Sequence, residues 1–378
     1  MSGFILAVSA LGYTIPLAVI LVVLAVVVGT LLVVVFGLIT SISVYWAAKR
    51  SRRDQVRPDL RNELLDRLFA ATPRWNEWVA DLTAVEREVA ESLLDEHLRE
   101  LEGDNADTLR ELGDTLGIPD RAGQRLKTGN EYTRLRALTW LTLLRRPDPY
   151  LESSFEPDTP HERAAVVRLL EKTDQLPDRA TGISVLLDGI NGQFSVFGQD
   201  TLYHVARIDP TPLLRTASEA HNEWPEPLLW QVLAIGAHLE TSVRDGELAW
   251  LMAVLEKGNE AMRAAAADAL AAFGWRTSLR EQPVFDRAVN DPSAKVRAAV
   301  YRMLASWGDE AARTALRDAL ADEPDPRALT AGTTALVRHK TRLEFDPAGL
   351  FGDAWRWSVE HTEYDRIARQ VDQPQSPS

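Results

Sequence analysis

The chain has 378 residues, with 42 basic against 55 acidic side chains, a formal net charge of -13 and no cysteine. That composition excludes a disulfide framework and a thiolate metal site. It also argues against non-specific nucleic-acid binding, which calls for a basic surface.

The charge is unevenly placed. No Asp, Glu, Lys or Arg occurs before Lys49, which opens the run Lys49, Arg50, Arg52, Arg53. Crossing a bilayer takes about 20 apolar residues, and the apolar stretch Ile15 to Trp46 is longer than that. Residues 15–46 are therefore expected to be one transmembrane helix. Gly12, Tyr13 and Pro16 interrupt the pattern, so residues 1–14 read as a short non-cytoplasmic lead. Residues 47–57 read as a basic juxtamembrane linker. Positive charge stays on the cytoplasmic side, which predicts a single-pass cell-membrane protein with its N-terminus outside and its C-terminal domain inside. A cleaved signal peptide would begin with a basic segment and end in a small-residue site; nothing basic precedes Lys49. A buried soluble hairpin is disfavoured by so long a charge-free run. Gly29 and Gly37 lack the four-residue spacing of a membrane helix-packing motif.

Beyond the basic run, helical signals are dense. Residues 58–128 are expected to form a cytoplasmic helical cap. Leu60, Leu64, Leu65 and Leu68 recur at helical spacing, and Thr83 to Glu86 (T-A-V-E) is a capping box. Val85, Val89, Leu93, Leu94, Leu98 and Leu101 continue the apolar stripe to Gly103, and Leu109, Leu112 and Leu116 carry a shorter helix. Residues 131–145 give another helix. Thr159-Pro160-His161-Glu162 is a second capping box, with proline where no amide is missed. Helices with short Pro/Gly/Asp turns continue to residue 340, an all-α pattern. About 320 residues follow the apolar stretch, more than one ordinary core, so two domains or an elongated array are expected.

An internal repeat runs through this part. Met262-Arg263-Ala264-Ala265 with Leu270, Phe273 and Gly274 matches Val296-Arg297-Ala298-Ala299 with Leu304, Trp307 and Gly308, each position displaced by thirty-four residues. Leu135-Arg136-Ala137 and Glu162-Arg163-Ala164-Ala165 look like earlier copies, and the segment near Leu228 to Ile235 fits the interval without an arginine. A unit of two antiparallel helices cannot bury its apolar faces alone, so stacked units share a core.

The stretch QPVFDRAVNDPSAKVRAAVYRMLASWG resembles a HEAT repeat: Pro283 in the first helix, Asp291 in the turn, and Val296-Arg297 opening the second helix. The resemblance implies an α-α superhelical, HEAT-like (armadillo-like) solenoid over residues 129–345, with Asp291, Arg297 and Arg263 linking neighbouring repeats. In the preceding unit Lys257 stands at the Asp position; in the following one Asp325-Pro326 is present but the arginine is missing. Residues 346–370 are expected as C-terminal capping helices that cover the last repeat, and 371–378 as a disordered tail.

No catalytic, cofactor-binding or metal-ligating set emerges. The seven histidines form no close ligand pair and read as single surface residues. The glycine-bearing segment 188–199 (DGINGQFSVFGQ) lacks phosphate-loop spacing and reads as an inter-repeat loop. Ser184 is not in a nucleophile elbow. Tryptophan is enriched at interaction hot spots; Trp224 and Trp275, in turn-like contexts, are the partner-binding candidates, whereas Trp307 aligns with Phe273 and reads as core. The expected function is a membrane-anchored, non-catalytic scaffold or accessory subunit that binds a membrane protein, such as an envelope glycosyltransferase or a transporter, and no nucleic acid or cofactor. Some HEAT-like folds are alkylpurine DNA glycosylases or phycobilin lyases, so a tethered helical-repeat enzyme is the alternative. The Arg-over-Lys, Ala- and Asp-rich usage is of a GC-rich prokaryotic style.

Overall fold

Charge-free sequence, an early proline and a row of leucines shape the N-terminal part. The computed structural model describes residues 7–10, 13–147, 156–239, 245–273, 281–339 and 346–372. Strands β1 (Ala7–Ala10) and β2 (Tyr13–Pro16) form a small antiparallel pair, with Ala7 opposite Pro16. Ile15 and Pro16 thus belong to a strand rather than to the helix expected from residue 15. Helix α1 begins at Leu17, directly after Pro16, whose fixed φ suits a helix entry, and runs unbroken to Leu68.

The linker expected at 47–57 is a continuation of α1, which passes through Pro58 as well. Tertiary packing outweighs the lost hydrogen bond: Leu60, Leu64 and Leu68 are buried, and α3 (Ala84–Glu100) lies along the same stretch. Helices α2 (Trp75–Asp81) and α4 (Asp104–Thr115) complete this unit. The Thr83 capping box forms in full, with Thr83 N–H donating to Glu86 at 2.7 Å and Glu86 N–H to Thr83 Oγ1 at 3.4 Å. The Thr83 bonds hold the Glu86 carboxyl below its ordinary range, and the slight desolvation opposes them.

The chain divides into two compact units, residues 1–120 and 121–378. Helix α5 (Ile118–Thr128) was expected in the cap, yet its Ala122 and Leu126 pack with Ala137, Leu138, Leu141 and Leu169. The helical stack therefore starts near residue 121 rather than 129, because α5 buries its apolar side against α6 (Glu131–Leu144).

The second unit has two layers. Its longer helices follow one another face to face: α6, α7 (Pro160–Lys172), α9 (Val196–Ala206), α11 (Glu226–Gly236), α13 (Glu260–Ala271), α15 (Ala294–Trp307), α17 (Pro326–Arg338) and α18 (Pro347–Asp372). The companion layer is α8 (Arg179–Leu187), α10 (Thr211–Ala220), α12 (Ala249–Lys257), α14 (Val284–Val289) and α16 (Glu310–Ala321). One apolar cluster extends from Ala164 to Phe351, the shared core that stacked pairs require. Gly332 allows α17 its place: a Cβ there would lie 2.5 Å from Leu320 Cδ2 and 3.3 Å from Tyr301 Cβ. Helix α15 stops at Gly308, whose positive φ of 63° closes it. Helix α18 bends at Gly352 and lies along α17, with Phe351 and Ser358 buried. The expected tail beyond residue 372 lies outside the described residues.

Candidate partner-binding surface

The repeat-linking residues come together as a ladder. Arg263 (α13) donates two hydrogen bonds to Asp291, at 2.8 and 2.9 Å, and a third to the Gly258 carbonyl at 2.9 Å. One pair further on, Arg297 (α15) grips Glu323 at 2.8 and 2.6 Å and donates to the Asp291 carbonyl at 2.8 Å. Each acid is fixed by its own turn: Asp291 accepts from Ser293 N–H and Glu323 from Asp325 N–H, both at 2.8 Å. Val296 is fully buried beneath this ladder, and Pro283 sits at the start of α14.

Two registers differ from the sequence expectation. The acid after Arg297 is Glu323, two residues before the cap of α17, just as Asp291 lies two before Ser293; Asp325 is itself the cap. In α6 the ladder arginine is Arg134, four residues after the cap Asn130, and Arg136 is exposed. Arg134 donates to Glu162 at 2.8 Å and to Asp158 at 2.7 Å. This diverts the second capping box: Thr159 still accepts from Glu162 N–H, but the Glu162 carboxylate takes Arg134 and Asp158 N–H. Counting from caps, with arginine four after and the acid two before, is the signal that finds Arg297 and Glu323.

Glu323 is fully buried with its partner Arg297 mostly so. Burial alone would raise its carboxyl, but bonds from Arg297, Tyr301 and the Asp325 amide outweigh it and hold it at about 2. Tyr301 donates to Glu323 at 2.6 Å, and burial together with that bond pushes its hydroxyl well above the usual range. The Glu323 bond raises Arg297 in turn, so Arg297 and Glu323 stay charged while Tyr301 remains a neutral donor.

Where Lys257 occupies the acid position, Leu229 stands four residues after Pro225, the residue that precedes α11, so neither half of the rung is present. Across that step Asn259 donates to Glu226 at 2.6 Å, and one step earlier a buried amide makes the tie. Gln231 is buried, accepts from Phe194 N–H at 2.7 Å and donates to the Phe194 carbonyl at 3.0 Å. The loop expected over 188–199 is shorter, 188–195, because Ser195 caps α9 and Val196 to Gln199 form its first turn; one amide pins the loop. A second row of ties crosses the long-helix layer: Arg168–Asp200, Arg302–Asp268 and Arg338–Asp365.

The tryptophans sort differently from the expectation. Trp224 is half-buried and packs against the core, so it is not a free surface ring. Trp275 lies outside the described residues. Trp307 meets Phe285 edge-on at 5.1 Å and donates to the Leu270 carbonyl. The exposed aromatics of the long-helix layer include Trp230 (48 %), Phe197 (45 %) and Trp357 (49 %), with Tyr132 and Tyr364 more open still; sequence position alone did not mark them. His97 also departs from the surface reading: it is buried in α3, where the apolar stripe carries it inward.

In the first unit the basic run is partly matched. Lys49 and Arg53 both pair with Glu88 of α3, and Arg57 pairs with Glu96, while Arg50 and Arg52 are exposed. Within α1, Leu21–Ser41 is fully exposed with mean hydropathy 3.1. By length and composition it suffices for a membrane anchor or a signal sequence. Among the described residues, no group of three or more histidines and acids is arranged to hold a metal ion.

Residues 248–337 match the HEAT-repeat family. That span covers α12 to α17, the part with the complete rungs, and with the stacked helix pairs it makes the second unit a HEAT-like helical repeat. No curated protein and no solved structure matches the chain.

Proposed function

We propose that this is a membrane-anchored, non-catalytic scaffold or accessory subunit that binds a partner protein at the cytoplasmic face. The observation that carries the reading is the pairing of two surfaces in one chain. One is an apolar helix with no burial of its own over Leu21–Ser41; the other is a repeat layer that leaves Trp230, Phe197 and Trp357 to solvent. Helical repeats present extended surfaces to protein partners, and aromatic side chains are the usual anchors of such contacts. A tether raises the effective concentration toward other membrane proteins. A membrane enzyme or transporter, for instance an envelope glycosyltransferase, is the class of partner that this geometry suits.

Topology is tested by protease added to intact cells that make the full chain with a C-terminal tag. The tag should survive until the membrane is opened, and should pellet with membranes at high salt. Loss of the tag in intact cells, or its recovery in the soluble fraction, removes the anchor from the reading. Partner binding is tested by placing a photo-crosslinking residue at Trp230 in the native membrane: one discrete adduct to an integral membrane protein is expected, and turnover of a small molecule by the purified chain would overturn the non-catalytic assignment.

A further inference from the structure

One groove in the second unit differs chemically from the rest of the chain. Its volume is about 760 Å³, and it lies over α17 between Arg302 of α15 and Trp357 of α18. Arg302, Arg327 and Arg338 line it together with the imidazoles of His339 and His361. Among the described residues no carboxylate lines it, in a chain where acids outnumber bases 55 to 42. Two carboxylates outside its lining pair with its side chains: Asp268 takes Arg302 at 2.8 Å, and Asp365 takes Arg338 at 3.2 Å and lies 3.9 Å from His361. Those pairs orient two guanidiniums at the groove. Arg327 is exposed at the start of α17 and, among the described residues, makes no side-chain ion pair. Ala331 and Ala335 form an apolar floor between the cations, and the Trp357 ring, stacked on His361 at 4.5 Å, makes one wall.

We propose that this groove docks an acidic peptide segment of a protein partner, lying extended along α17. Spacing selects that occupant. Arg327 and Arg338 are eleven residues apart on one helix, about 16 Å at ~1.5 Å per residue. Cations so separated cannot close on one phosphate or one carboxylate; they match carboxylates placed at intervals along an extended chain. The alanine floor and the Trp357 face accommodate an apolar side chain between those carboxylates. A nucleic acid would also present spaced charge, but the net charge of -13 repels a polyanion of that density at long range. The proposal rests on the partner-binding reading above and names the surface and chemistry it would use.

The test uses the full chain in phosphatidylcholine nanodiscs and a short fluorescein-labelled peptide of glutamates interrupted by leucines. Fluorescence anisotropy should report binding that weakens with added salt and falls about tenfold in Arg327→Glu, the effect of reversing a charge at a contact rim. Arg207→Glu, a reversal of another exposed arginine, should leave it unchanged, and Trp357→Ala should weaken peptides with leucine more than peptides of glutamate alone. Equal binding by Arg327→Glu and the parent chain overturns the proposal. So does displacement of the peptide by inorganic phosphate, an oligonucleotide or phosphatidylglycerol vesicles at matching concentration. A groove that ignores the peptide while the Trp230 cross-link persists sinks this inference alone; a peptide held at the groove without any cross-linked partner sinks the scaffold reading instead.

Discussion

Two stretches of the same helical stack are held together by different chemistry. From α13 to α17 each long helix sends an arginine to the next turn, where a carboxylate fixed by its own backbone receives it. From α9 to α11 the arginine position holds Gln199, and one buried amide, Gln231, clasps the backbone at Phe194. The apolar cluster runs through both stretches. Burial therefore supplies the stacking, and the polar ties set the register between pairs. A charged rung fixes direction through a bidentate fork, while a neutral amide satisfies the N–H and the carbonyl of one residue without burying a charge.

The comparison breaks most visibly at Glu323. Its replacement in Glu323→Ala leaves Arg297 and the Tyr301 hydroxyl unpaired in a buried site, which should cost about 3–5 kcal/mol in urea unfolding. Glu323→Gln should cost less and should flatten the acid limb of stability. The sign follows from the folded pKa, which is depressed from 4.5 to about 2. The stabilisation is complete above the unfolded value and is lost as pH falls through the folded one, so parent and Gln variant should converge in thermal melts taken from pH 4.5 down to 2.

On the other side of the comparison, Gln231→Leu removes both bonds to Phe194 and leaves a buried N–H and carbonyl unsatisfied. A loss of about 2 kcal/mol is expected, with hydrogen-exchange protection falling at 188–195 and unchanged at 291–297. A variant that loosens both stretches equally would show that the two ties are not independent. The smallest effect belongs to Arg302→Ala. Its bidentate pair with Asp268 is close to half exposed on both sides, so the change in melting stability should stay below about 1 kcal/mol. A larger loss would mean that the outer row of ties carries the register as well.

Much of this architecture is visible in the amino acids. Leucines at helical spacing mark α1, α3, α4 and α6, and the thirty-four-residue displacement between Arg263 and Arg297 marks the repeat. The details that decide the site are less accessible. Arg134 and Arg136 are two residues apart and about 200° apart around a helix, so only one can face the next turn; the cap at Asn130 chooses Arg134. Asp325 resembles the turn acid in sequence but is occupied as a cap, and Glu323 takes its place. The linker expected at 47–57 is helix, continuous with Leu60, Leu64 and Leu68 that pack beside α3, and its cations meet Glu88 and Glu96.

Local order determined what sequence could express: a charge-free stretch long enough for a bilayer, helices with their caps, and a repeat whose copies share one period. Those properties depend on neighbours within a few residues along the chain. The tertiary structure alone decided which carboxylate each arginine grips and which tryptophans reach solvent. It also placed Arg302, Arg327 and Trp357 around one groove. Such choices join side chains twenty-four or more residues apart, and their outcome turns on which helix faces pack, a matter that helical periodicity leaves open.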